Sequence, residues 1–224
     1  MSERENKQSG FIKDIVGCLI SPRSSFKSIL EKPSLKKATA LILVIAIIAA
    51  WASFNYVRKL PLTSLPQGQG PLVNPEQLRQ MWMIMSTITA LIGIFGIWLI
   101  SSAFIHGFSR VLGGKGYLKS MLTLVGYASV PLFIQHILRL VDSFMVSQEG
   151  LLQVGTSLQI SVDPLLNSIA NATVNIFTIF RLWSIVLLII AARENYKMST
   201  ARSTAATVLS FIIVVFVSVF LPLT

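Results

Sequence analysis

Long apolar runs bounded by basic residues dominate this chain. A helix that crosses the hydrocarbon core of a bilayer needs about 20 mostly apolar residues. Five stretches meet that requirement: 38–57, 81–105, 121–138, 173–192 and 204–223. Arg58 and Lys59 stop the first, Lys119 and Arg139 bound the short third, and Arg181 interrupts the fourth. Ahead of the first run the pattern changes. Between residues 10 and 32, Phe11, Ile12, Ile15, Val16, Leu19 and Ile20 recur at helical spacing, with Lys13 and Asp14 opposite. Ser21-Pro22 then reads as an N-cap with proline at the first helical position. It opens a second short helix with Phe26, Ile29 and Leu30 on one face and Arg23, Lys27 and Lys32 on others. The pattern predicts an all-α, polytopic helical membrane bundle of five transmembrane helices. It divides into a cytoplasmic N-terminal segment with amphipathic helices, residues 1–37, and a five-span domain, residues 38–224.

The connections carry their own signals. Residues 60–80 hold Pro61, Pro66, Gly68, Gly70, Pro71 and Pro75, which predicts an irregular linker. In the second outer loop Leu152, Val154, Leu158, Ile160 and Val162 alternate with Gln153, Gly155, Ser157, Gln159 and Ser161. Period two predicts a strand or small β-hairpin over the outer mouth. Asn171-Ala172-Thr173 is a glycosylation sequon placed at the membrane surface, where it is expected to stay unused.

Composition narrows the class. Hydrophobic residues make up 53%, charged residues 12%, and mean hydropathy is +0.70, against roughly a quarter charged residues in a soluble domain. Disorder, a coiled coil and a collagen-like chain are excluded. The single cysteine, Cys18, excludes an internal disulfide. The polar, charged first residues predict no cleavable signal peptide. A net charge of +10 would ordinarily suggest nucleic acid, but the basic residues bracket apolar runs instead of forming one face of a soluble fold. Fourteen of the nineteen Lys and Arg fall in the N-terminal tail and the loops after the second and fourth spans; four fall on the other side. The positive-inside bias places the protein in the cell membrane with its N-terminus cytoplasmic and its C-terminus outside. An odd number of spans requires the same split. The N-terminal helices then either lie on anionic lipid headgroups or pack under the bundle as a plug.

Arg181 is the most expensive residue in the spans, at about 2.5–3.5 kcal/mol on insertion scales. No span contains an acid, so the expected partners are Gln135, His136 and backbone carbonyls near Pro131. Asn167, Asn171, Asn175 and Thr178 form a polar stripe running into the same span. Arg181, Asn175, Asn171, Gln135 and His136 are therefore the candidate intramembrane polar site. It is either a tie between helices, the plainer account, or a binding site for an anion, lipid headgroup or substrate. Gly93 and Gly96, with Ser86, Thr89 and Ala90, offer a small-residue face on the second span that permits close packing or self-association. No catalytic arrangement is legible. His106 and His136 lie on different spans with no acid nearby, and there is no H-E-x-x-H, C-x-x-C, G-x-S-x-G or Walker loop. Gly113-Gly114-Lys115-Gly116 lacks the strand and spacing of a phosphate loop and reads as a tight turn. No three convergent metal ligands are evident, and no cofactor is expected.

Four segments together resemble a known family. They are Ser21-Pro22-Arg23 with Phe26 and Leu30; Arg110-Val111-Leu112-Gly113-Gly114-Lys115-Gly116; Gly126-Tyr127-Ala128-Ser129-Val130-Pro131; and Leu182-Trp183 followed by Arg193-Glu194, Ser199 and Ala205. In order and spacing, from about residue 10 to 220, they resemble the YIP family, the Ypt/Rab-interacting-type five-span membrane proteins, in its bacterial and archaeal branch. The resemblance implies five spans and a cytoplasmic N-terminus. Eukaryotic members work in traffic between endoplasmic reticulum and Golgi, binding Rab-type GTPases and one another. This chain lacks their long polar N-terminal region, which argues against GTPase binding. The prokaryotic branch carries no established activity. Pro131 leaves the carbonyl of Tyr127 without its amide, so the G-Y-x-x-x-P segment reads as a kinked, closely packed helix or, more sharply, a hinge. Two functions remain open: a non-enzymatic scaffold that organises the bilayer or recruits partners, including copies of itself, and a small transporter or lipid-handling protein with a polar pathway around Arg181.

Overall fold

The computed structural model describes residues 2–60, 74–147 and 179–220, and among them the chain is helical with no strand. Two short helices, α1 (Ser2–Ile20) and α2 (Pro22–Glu31), precede the long apolar helix α3 (Leu35–Lys59). Then follow α4 (Pro75–Val111), α5 (Leu118–Ala128), α6 (Val130–Met145), α7 (Ile179–Tyr196) and α8 (Thr200–Phe220). Three segments are long and apolar enough to cross a membrane: Leu35–Lys59, Glu76–Val111 and Leu118–Met145; Thr200–Phe216 is a shorter apolar helix. The period-two segment around 152–162, the sequon and Asn167, Asn171, Asn175 and Thr178 lie outside the described residues.

Helix ends extend beyond the apolar runs. The third run, expected to be short and to end at Lys119 and Arg139, belongs to a 28-residue segment that contains both. Long basic side chains keep helical backbone while their charged heads reach outward, so charge marked the edge of the apolar run and not the end of the helix. Likewise α4 starts at Pro75, where Asn74 Oδ1 accepts the Glu76 N–H at 2.9 Å. It runs 37 residues, about 55 Å at about 1.5 Å each, well beyond one hydrocarbon core. Ser21 occupies the N-cap position of α2 with Pro22 following, but its side chain makes no capping bond; instead Ser24 Oγ donates to the Ser21 carbonyl. The Gly113–Gly116 segment is the expected turn, with Gly113 at φ +87°.

Helix α3 is central, packing on α4, α5 and α6. Its inner face is small, with Ala38, Ala46, Ala49, Ala50 and Ala52 all buried, and small residues let backbones approach where lipid supplies no hydrophobic drive. Polar side chains lie inside the bundle among its apolar core, and the outer surface is apolar. Asn55, Ser102, Thr123, Ser143, Ser184 and Ser210 are buried, whereas Leu43, Ile47, Trp51, Ile84, Ile88, Ile92, Ile212 and Phe216 are exposed. An apolar outer surface of this extent suits contact with acyl chains and not with water. The core continues past the spans: Cys18 and Phe26 are fully buried and Ile29 nearly so, in one cluster with Met121, Leu124, Tyr127, Leu187 and Tyr196.

Candidate functional site

Parts of the four sequence segments meet at the end of the bundle that carries α1 and α2, the fourth through Arg193-Glu194 and not through Leu182-Trp183. Arg23 Nε donates to Glu194 Oε1 at 2.9 Å, and Lys27 Nζ stands 4.0 Å from Glu194 Oε2. These contacts bind the start of α2 to the end of α7. The glycine turn seats against the same helix end. The Lys115 N–H donates to the Tyr196 carbonyl (3.3 Å). A Cβ on Gly116 would lie 2.6 Å from both the Asn195 carbonyl and the Tyr196 ring, and one on Gly114 2.7 Å from Tyr196 Cβ. Both glycines are thus required by close approach. Asn195 Nδ2 donates to the Tyr117 carbonyl (3.2 Å), and the Tyr196 hydroxyl meets His106 Nδ1 at 2.7 Å. On the α1 side, Lys37 Nζ pairs with Asp14 Oδ2 (3.5 Å) and lies 6.0 Å over the Phe11 ring. Phe11 meets Tyr127 edge-on at 6.2 Å. Gly126 admits Ala38, whose Cβ would stand 2.7 Å from an added Cβ.

Between α2 and α7 this assembly leaves a groove of about 480 Å3. Arg23, Lys27, Arg193 and Lys197 contribute cations, Glu31 and Glu194 acids, and Leu30 and Met198 apolar surface. Glu194 is engaged by Arg23 and Lys27, while among the described residues neither Arg193 nor Lys197 has an acidic partner. Lys197 sits at φ +52°, the left-handed region. That conformation ordinarily falls to glycine just past a helix end. Nearby, Cys18 is buried, and desolvation, aided by the Asp14 carboxylate, pushes its thiol up to about 12.

The opposite end of the bundle holds Arg181. Its Nε is buried and has no hydrogen-bond partner among the described residues. The expected partners are only partly assembled: His136 is within electrostatic range, and Gln135 is buried on the same helix. Asn171 and Asn175 are outside the described residues. The other charge acting on Arg181 is Arg139, of the same sign. Sequence reasoning had used Arg139 as a boundary and as one of the four basic residues on the outer side. Close by, Asn55 Nδ2 donates to Ser143 Oγ (3.3 Å, buried), the Tyr56 hydroxyl lies 2.5 Å from Asp142 Oδ2, and Lys59 Nζ donates to the carbonyls of Phe144 and Val146 (2.9 Å each). Those bonds fasten the end of α3 to the end of α6. Trp183 is half exposed and faces outward, so its motif position is on the outer surface. Among the described residues no three His, Cys, Asp or Glu side chains converge.

The helix break at the proline motif falls at Ser129, between α5 and α6. The interhelical bond lands one residue later than the sequence suggested: Ser184 Oγ donates to the Ala128 carbonyl at 2.7 Å. What sequence reasoning missed was the partnership of Arg23 with Glu194 and of the glycine turn with Tyr196. Its signal was the Arg193-Glu194 pair immediately after an apolar run, read as part of the family resemblance and, for Arg193, as a topology marker.

Known proteins share sequence with this chain over much of its length. A sequence profile of the Yip1 domain matches residues 16–221. An uncharacterized protein of the archaeon Methanocaldococcus jannaschii is 26% identical over 121 residues, covering 54% of this chain and 81% of that protein. No solved structure matches.

Proposed function

Because the chain belongs to the Yip1 domain family, we propose that it is a non-enzymatic, multi-pass scaffold of the cell membrane. It would organise the bilayer around it, or recruit partner membrane proteins through the surface built on α1 and α2. In this reading five segments cross: α3, α4, α5 with α6, α7, and α8. The N-terminus is cytoplasmic and the C-terminus outside, as the distribution of basic residues supports. The observation that carries the reading is the burial of Cys18 and Phe26 in the same core as the spans. That burial makes the N-terminal helices a fixed platform and not a tether.

Arg181 favours a second reading. A buried guanidinium nitrogen with no hydrogen bond among the described residues, near a second arginine and a histidine, suits an anion or headgroup in a polar pathway. One experiment separates the two. In a Cys18→Ser background, Gln135→Cys, Arg181→Cys and Ser184→Cys proteins in intact membranes are treated with a membrane-impermeant thiol reagent. The scaffold reading expects no labelling until the membrane is dissolved. Labelling of all three positions in intact membranes overturns it in favour of a hydrated pathway.

A further inference from the structure

The groove between α2 and α7 has an electrostatic imbalance and a shape that together specify a ligand class. Four cations face two acids. Glu194 is already engaged, with its side chain only 12% exposed, whereas the charges of Arg193 and Lys197 are met by no carboxylate among the described residues. Lys197 is held in a left-handed conformation that favours glycine. Lys197 lines the groove at the end of α7, where its charge offsets the negative end of the helix dipole that would otherwise repel an anion. The wall also includes Leu30 and Met198, so an occupant meets apolar surface beside the charge. The groove opens where the apolar run of α7 ends, at the depth of headgroups for a helix that spans.

We propose that this groove binds the phosphate of an anionic phospholipid, with Arg193 and Lys197 as the unshared cations and Arg23 and Lys27 as cations shared with Glu194. The apolar wall takes the glycerol and first methylenes, which an inorganic ion lacks. The groove is at the opposite end of α7 from Arg181, so the proposal stands or falls independently of water access to that residue.

The test uses the full-length protein in neutral detergent, titrated with short-chain phosphatidylglycerol, short-chain phosphatidylcholine and inorganic phosphate, with bound species counted by native mass spectrometry. Phosphatidylglycerol is expected to bind tightest. Arg193→Gln and Lys197→Gly are each expected to weaken it about fivefold, from the usual worth of one basic residue at an anionic surface. Lys36→Gln, at an exposed residue that does not line the groove, is expected to leave it unchanged. Lys197→Gly restores the residue that the backbone favours, so weaker binding by that variant does not arise from misfolding; its melting temperature checks this. Equal binding of the two lipids, or unchanged phosphatidylglycerol binding by Lys197→Gly, overturns the site. Inorganic phosphate binding as tightly as phosphatidylglycerol overturns the lipid assignment and leaves a free-anion site.

Discussion

Ser184 Oγ, on α7, donates a buried 2.7 Å hydrogen bond to the carbonyl oxygen of Ala128, the last residue of α5. The break between α5 and α6 is therefore held by a side chain from a different helix. A buried carbonyl that loses its partner pays its desolvation in full, and interhelical bonds in membranes are worth about 0.6 kcal/mol on average and up to about 1.7. Ser184→Ala is expected to destabilise by about 1–2 kcal/mol, read as a lower melting temperature in detergent. Ser184→Thr, which keeps the hydroxyl, is expected to lose less. An unchanged melting temperature for Ser184→Ala would show that the bond does not hold the break.

Two glycines offer a matched contrast. A Cβ at Gly126 meets Ala38 Cβ at 2.7 Å and its Cα at 3.2 Å, while a Cβ at Gly96 meets nothing within 4 Å. Gly126→Ala must part α3 from α5 and is expected to cost about 1–3 kcal/mol, the usual range for overpacking. Gly96→Ala adds helix propensity in open space and is expected to be neutral or to stabilise by up to about 1 kcal/mol. The measurement is thermal unfolding of both variants side by side. Equal effects would contradict the close approach at Ala38.

Cys18 should resist alkylation in the folded protein. Its thiol is raised from 9.0 to about 12 by desolvation and then by Asp14, and the thiolate is the reactive form. Because the folded value lies above the unfolded one, the native state holds the proton more tightly. The associated stability is complete below about pH 9 and is lost as pH rises from 9 toward 12. Maleimide is expected to label Cys18 at neutral pH only after denaturation. Rapid labelling of the native protein would mean that α1 detaches from the bundle.

Lys197→Gly is expected to raise stability by up to about 1 kcal/mol. It removes the left-handed strain of a side-chain-bearing residue at φ +52°, less the favourable charge at the end of α7. A fall in melting temperature would place the value of Lys197 in structure, through contacts of its side chain.

The amino-acid sequence by itself determined what depends on periodicity, composition and short-range spacing. The apolar runs, the helix break at Ser21-Pro22, the glycine turn at Gly113 and the break before Pro131 all follow from local preferences. The family, too, is carried by segments that can be read in order along the chain. The long polar ends of helices were not legible, because Lys119, Arg139 and Arg193 mark the limit of the apolar run while the backbone hydrogen bonds continue past them. Only the tertiary structure decided that Arg23 meets Glu194, that Gly116 lies under Tyr196, and that, among the described residues, the charge acting on Arg181 is the like charge of Arg139. Each of those pairs joins residues far apart in the chain. Their proximity is set by which small residues let which helices approach, and that is a property of packing among all the helices at once, which no local pattern contains.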